Sequence, residues 1–115
     1  MNREELGRRL MASFLGEAED RIDALNEDML LLERDDPGVR SAAVQRLFRS
    51  AHSLKGAARA VGITSVETMC HRMEELLAGV RDGVRPLDAA LTELCFKTID
   101  AVQDVTGKLQ QGAVE

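Results

Sequence analysis

His52 is the residue in this chain best placed to act as a nucleophile. It falls in the run Phe48-Arg49-Ser50-Ala51-His52-Ser53-Leu54-Lys55-Gly56-Ala57-Ala58-Arg59-Ala60-Val61-Gly62. Around it, Val44, Leu47, Ala51, Leu54, Ala58 and Val61 recur at spacings of three and four, the signature of a helix with one buried face. His52 lies one residue past Ala51, about 100° around the helix, and so at the border of that face. An imidazole at such a border has one flank against the core and the other open. Its i+4 neighbour is Gly56, and glycine in a helix interior costs about 1 kcal/mol relative to alanine. Bare space beside a reacting ring is one reason to keep it there.

A second helix would follow a tight turn centred near Ile63, and residues equally far from that turn sit at similar heights in an antiparallel pair. His52 and Glu74 are each eleven residues from Ile63. Each also stands one residue past an apolar-face position, Ala51 and Met73. Equal offsets place the two side chains either on mutually facing flanks or on mutually distant ones, and periodicity does not choose between these. If they face, Glu74 accepts a hydrogen bond from Nδ1–H of His52 and leaves Nε2 with its lone pair outward. That is an oriented nucleophile. The same counting sets Lys55 opposite His71 and Arg59 opposite Glu67, so cations gather near the imidazole, where they would suit an incoming phosphoryl group.

The elements that position these residues are legible from the apolar periods. Leu6, Leu10, Phe14, Ala18, Ile22, Leu25, Met29 and Leu32 fit a first helix from about Asn2 to Arg34, opened by the capping-box pair Asn2 and Glu5. Asp35-Asp36-Pro37-Gly38 breaks it: Asp36 can cap a second helix, with Pro37 in its first turn, running to about Val61. Gly62 supplies a left-handed stop. Thr64 and Glu67 form a capping box for a third helix burying Val66, Met69, Cys70, Met73, Leu76, Leu77 and Val80. After Asp82-Gly83-Val84-Arg85-Pro86, a fourth helix is lined by Leu87, Leu91, Leu94, Cys95, Thr98, Val102, Val105 and Leu109. The expected class is all-α, an antiparallel four-helix bundle over residues 1–110, with room for an extra C-terminal helix. Residues 111–115 have no apolar period and read as a frayed tail or the start of a linker.

Composition narrows the function. A chain of 115 residues, 44% hydrophobic, makes one domain with one core. A net charge of −5 argues against wholesale nucleic-acid binding, so any basic function must be local. No apolar run approaches the ~20 residues of a membrane span, and the N-terminus lacks a secretory apolar region, so the expected location is cytoplasmic, with no membrane contact. Cys70 and Cys95 fall on apolar sides of their helices and read as buried free thiols. The acidic residues Glu17, Glu19, Asp20, Asp23, Glu27, Asp28 and Glu33 read as a solvated helix face with pairs such as Glu17 and Arg21.

The run from His52 to Gly62 resembles the signature of histidine phosphotransfer (HPt) domains, and His71-Arg72-Met73-Glu74 resembles the second motif of the subgroup found at the N-terminus of CheA-type chemotaxis histidine kinases. The likeness covers nearly the whole chain. It implies a phospho-accepting His52 with Glu74 as its Nδ1 partner, and Lys55 and His71 as neighbours in the hydrogen-bonding and charge network. Gly56 would give partners close access, with Arg49 and Arg59 beside it on the docking surface. The implied partners are the ATP-binding domain of a histidine kinase and the receiver domain of a response regulator. ATP and Mg would enter through the kinase domain and Mg through the receiver, with no cofactor or metal bound by this chain, which is expected to be monomeric as an isolated domain. The resemblance implies a CheA-type sensor histidine kinase as the parent, with the kinase site in a separate ATP-binding domain; this chain itself has no phosphate-cradling glycine loop. Arg59 follows the lysine–glycine pair where the family usually has small or aromatic residues.

Two readings of other classes compete. One is a helical protein-interaction module in which His52 is incidental. The other is a metal site built from His52, His71 and Glu74, three ligands from two helices without a clear supporting shell.

Overall fold

Capping side chains and left-handed glycines divide the chain where its composition changes. The computed structural model describes residues 1–112, which form four helices: α1 (Arg3–Leu31), α2 (Pro37–Ala60), α3 (Thr64–Arg81) and α4 (Ala89–Gln110). Asn2 Oδ1 accepts from the Glu5 amide at 2.8 Å, Asp36 Oδ1 from the Gly38 and Val39 amides at 2.9 and 3.2 Å, and Asp88 Oδ1 from the Leu91 amide at 2.9 Å. Each satisfies amides that a helix start leaves without partners.

The α2–α3 junction departs from the expected capping box. Thr64 is the first residue of α3, its N-cap is Ile63, and no side chain caps it. The reason lies in how α2 ends. Gly62 adopts φ 75°, its amide donates to Arg59 O at 3.2 Å, and the Ile63 amide donates to Ala58 O at 2.9 Å. This is a Schellman ending, with buried Ile63 packed into the core. The ending of α2 takes up all three residues between the helices, Val61, Gly62 and Ile63, so Thr64 enters the first turn instead of preceding it. The first helix likewise ends sooner than its apolar period suggests: the amides of Leu32, Glu33 and Arg34 donate to carbonyls three residues back, a tightened exit that tucks Leu32 into the core.

Helix α1 packs against α2 and α4, and α3 packs against the same two, while across either diagonal no Cα atoms of the described residues come within 8 Å of each other. The core is lined by Phe14, Ala18, Ile22, Leu25 and Met29 of α1, Leu47, Ala51, Leu54 and Ala58 of α2, and Val66, Cys70, Met73 and Leu77 of α3. Leu6 and Leu10 continue the α1 stripe but are exposed. At 29 residues α1 is about 43 Å long, longer than any neighbour, and Arg3 through Leu10 are all exposed. On α4 the buried stripe is rotated from the expected one. Leu94 is exposed, Leu87, Thr98 and Val105 are half-buried, and the seam runs through Leu91, Cys95, Ile99, Val102, Thr106 and Leu109. Thr106 is accommodated there because its hydroxyl donates to Gln103 O at 3.1 Å. Val61, Met69 and Val80, expected inside, are also half-buried. The possible linker or extra helix after Gln110 falls mainly on residues 113–115, outside the described residues.

Both cysteines are buried free thiols. Burial pushes Cys70 up to about 12, with the nearby Glu74 carboxylate adding to the effect and Lys55 opposing it. Burial likewise pushes Cys95 up to about 11, against the opposing charge of Arg85. Thiolates being the reactive form, neither should react with a thiol reagent at pH 8 in the folded protein, and both should react once urea unfolds it. Rapid alkylation of the native chain would contradict this packing.

Candidate functional site

The α2–α3 hairpin holds the cations that composition required to be local. Residues 37–87 carry eight Lys and Arg against four Asp and Glu, within a chain of net charge −5. Its outer strip is built by helical spacing: Phe48, His52 and Lys55 stand on successive turns of α2, and Glu74 and Arg81 lie two turns apart on α3.

His52 and Glu74 face one another. Nδ1 of His52 lies 3.1 Å from Glu74 Oε1, and Lys55 Nζ lies 2.7 Å from Glu74 Oε2. That second oxygen is shut off from water, and the lysine ammonium occupies the place water would take. Partial burial works against ionisation of Glu74, but the Lys55 hydrogen bond, the His52 hydrogen bond and both groups' charge outweigh it and hold the carboxyl below its ordinary 4.5. Ionised, Glu74 can only accept, so the shared proton sits on Nδ1 and the lone pair on Nε2. The His52 side chain is 62% exposed against 16% for Glu74: the carboxylate is largely hidden and the imidazole is open.

The other residues singled out from the sequence sort unequally around this pair. Arg59 does oppose Glu67, at 3.8 Å. Lys55 does not pair with His71; its long side chain reaches one turn further along α3, to Glu74. His71 turns instead to Glu75, with Nε2 2.7 Å from Oε1 and both side chains more than half exposed. The three residues of the metal reading are therefore not gathered, and among the described residues no group of three or more His, Cys, Asp and Glu side chains could hold a metal ion. Gly56 and Arg49 are exposed on α2. A Cβ added at Gly56 would meet nothing within 4 Å, so packing inside this chain does not demand glycine there.

Phe48 beside His52, and Arg81 behind Phe48, have no role in the reading of the sequence. The Phe48 ring lies parallel to the imidazole, 7° between planes and 6.3 Å between centroids, and Arg81 Cζ sits 4.6 Å over the Phe48 ring. Phe48 could have been found from its i,i+4 spacing to His52. Arg81 comes from another helix, and no local spacing marks it.

Four packed helices thus present an open imidazole held by a carboxylate from the neighbouring helix. The Hpt domain family matches residues 9–112, and the chain belongs to that family. It is 34% identical over 94 residues to the chemotaxis protein CheA of Treponema pallidum, covering 82% of this chain and 11% of that protein. It is 31% identical over 100 residues to CheA of Halobacterium salinarum, covering 87% and 15%. The chain thus spans a small part of these relatives' length. Among solved structures, the phosphorylated P1 domain of CheA3 in complex with CheY6 from R. sphaeroides superposes with a TM-score of 0.78 at 28% identity, covering 87% of this chain and 77% of that one. The CheA phosphotransferase domain from Thermotoga maritima shares the fold, with a TM-score of 0.82 at 24% identity over 95% and 98% of the two chains. No helix among the described residues is long and apolar enough to cross a membrane.

Proposed function

We propose that this domain is a cytoplasmic phosphocarrier in a chemotaxis-type two-component pathway, with His52 as the residue that takes up and hands on the phosphoryl group. The observation that carries the reading is the His52–Glu74 contact at 3.1 Å on an exposed ring. Nε2 of His52 attacks the γ-phosphorus of ATP held, with its magnesium, by a separate kinase domain. An N–P bond forms, the P–O bond to ADP breaks, and ADP leaves with the electron pair. The ring gains positive charge while Nδ1 keeps its proton, and the Glu74 carboxylate offsets that charge. Lys55 holds Glu74 in place and adds a cation beside the incoming group. In the second step an aspartate carboxylate of a receiver domain, with its own magnesium, attacks phosphorus and the N–P electron pair returns to Nε2. Such transfer needs mostly positioning and electrostatics, which a small bundle supplies.

This reading is supported by membership of the Hpt domain family and by the likeness to a phosphorylated P1 domain in complex with CheY6. It is tested by incubating the chain with ATP and a CheA-type kinase core under alkaline conditions that preserve phosphohistidine, then adding a receiver domain. Mass spectrometry should show one added phosphate that disappears as the receiver is labelled. No phosphate with several such cores would favour a helical interaction module instead.

Gly56 and its exposed neighbours Arg49 and Arg59 are the docking surface in this reading. Gly56→Ala should therefore separate stability from transfer. Urea melts should show a gain of about 1 kcal/mol from helix propensity, because the new Cβ meets open space, while transfer to a receiver slows. Faster or unchanged transfer would mean that partners do not approach the backbone at this strip.

A further inference from the structure

The bond from Glu74 settles which end of the His52 ring faces α3, but it does not fix the plane of the ring. A single hydrogen bond lets an imidazole swing about its Cβ–Cγ bond, a torsion with broad minima, and this side chain is 62% exposed. Something else must hold the plane if Nε2 is to point steadily outward. The Phe48 ring, one helical turn before His52, lies parallel to the imidazole within 7° at a centroid distance of 6.3 Å, inside the range of offset-stacked aromatic pairs. Phe48 is in turn held from α3: Arg81 Cζ sits 4.6 Å over its ring, in cation–π range. Arg81 is anchored in its own right, with Nε 3.0 Å from Asp82 Oδ1 and Nη2 3.3 Å from Oδ2. Asp82, Arg81, Phe48 and His52 thus form a continuous column from the end of α3 to the reacting ring.

We propose that Phe48, clamped by Arg81, is a positioning residue that sets the plane of the His52 imidazole, while Glu74 sets its polarity. The inference rests on His52 being the phospho-acceptor. The division of labour is physical: a flat neighbour restricts tilt but tolerates a ring flip, whereas a carboxylate distinguishes Nδ1 from Cδ2 only while the ring plane keeps Nδ1 directed at its oxygen. Removing the flat neighbour loosens the Nδ1–Glu74 bond and lets the second tautomer, with the proton on Nε2 and no lone pair there, gain population.

The test combines labelling by a CheA-type kinase core with nitrogen-15 NMR of the His52 ring, which reads the tautomer without any phosphate chemistry. Phe48→Leu keeps an apolar side chain but no plane. It should lower the phosphorylation rate about fivefold to tenfold, a modest part of what misalignment can cost, and shift the ring signals toward a tautomer mixture. Phe48→Tyr, which keeps the ring, should restore both. Arg81→Met should move both readouts in the same direction as Phe48→Leu, and because Arg81 is at the surface it decides the matter if Phe48→Leu loses the fold. Unchanged tautomer signals in the folded variant overturn the proposal. So does a slower rate with the tautomer unmoved, which would place Phe48 in partner docking. Absence of labelling in the unsubstituted chain would count against His52 as acceptor, while the NMR signals would still report whether the column orients the ring.

Discussion

His52→Gln is expected to abolish phosphorylation outright while leaving the bundle intact. Glutamine keeps a polar side chain of similar reach but has no nitrogen lone pair able to attack phosphorus, so no slower version of the same chemistry is left. The fold should hardly notice. The side chain is 62% exposed, and surface substitutions of this kind usually change stability by about 0.5 kcal/mol or less. Parallel labelling, urea melts and circular dichroism make the check: a folded mutant with no added phosphate. Label retained on a histidine would move the acceptor to His71, whose ring nitrogen is now engaged by Glu75.

Glu74→Gln should slow phosphorylation by roughly 100-fold, the low end of the range for positioned proton-handling groups. The substitution preserves shape but removes the charge that offsets the phosphorylated ring. It also supplies an amide donor that can bond to Nδ1 and favour the unreactive tautomer. Equal rates for mutant and wild type would remove Glu74 from the reaction. The stability cost should be about 1 kcal/mol: solvent screens the contact with exposed His52, and the glutamine amide oxygen still offers Lys55 an acceptor in place of the carboxylate. Its pH dependence has a definite sign. The folded-state carboxyl is held below its ordinary 4.5 by Lys55 and His52, which outweigh the opposing effect of burial. Its contribution is therefore fully present above that ordinary value and is lost as pH falls through the lowered one. The stability gap between wild type and Glu74→Gln should be constant near neutrality and close on acidification below about pH 4.5. A gap that widened in acid would mean the carboxylate is destabilising where it sits.

The same residues show how far the linear code reaches. Helix count, the buried faces of α2 and α3, the Asn2 and Asp36 caps and the Gly62 stop are local: each depends on residues within a few positions, so spacing reveals them. The opposition of Arg59 to Glu67 follows from counting across one tight turn. The Thr64 capping box does not form because Gly62 and buried Ile63 belong to the ending of α2, and two neighbouring local signals compete for the same residues. The α4 stripe departs from the one its spacing suggests because Leu94 and Ile99 are equally apolar and only the position of α1 and α3 decides which is covered. Leu6 and Leu10 keep the helical period where no neighbour reaches them.

An amphipathic helix states which residues want burial, and glycine, proline and capping side chains state where it stops; these are short-range demands written in residue order. They were enough for the bundle, for His52 at the border of a buried face, and for Glu74 at matching height. Whether those two side chains turned toward each other or apart was left open by equal offsets, because that depends on how one helix is rotated against the next. Packing of all four apolar faces sets that rotation at once. It brought Nδ1 of His52 to Glu74, drew Lys55 to Glu74 instead of His71, and set Arg81 over Phe48. None of these contacts could be read from one helix alone.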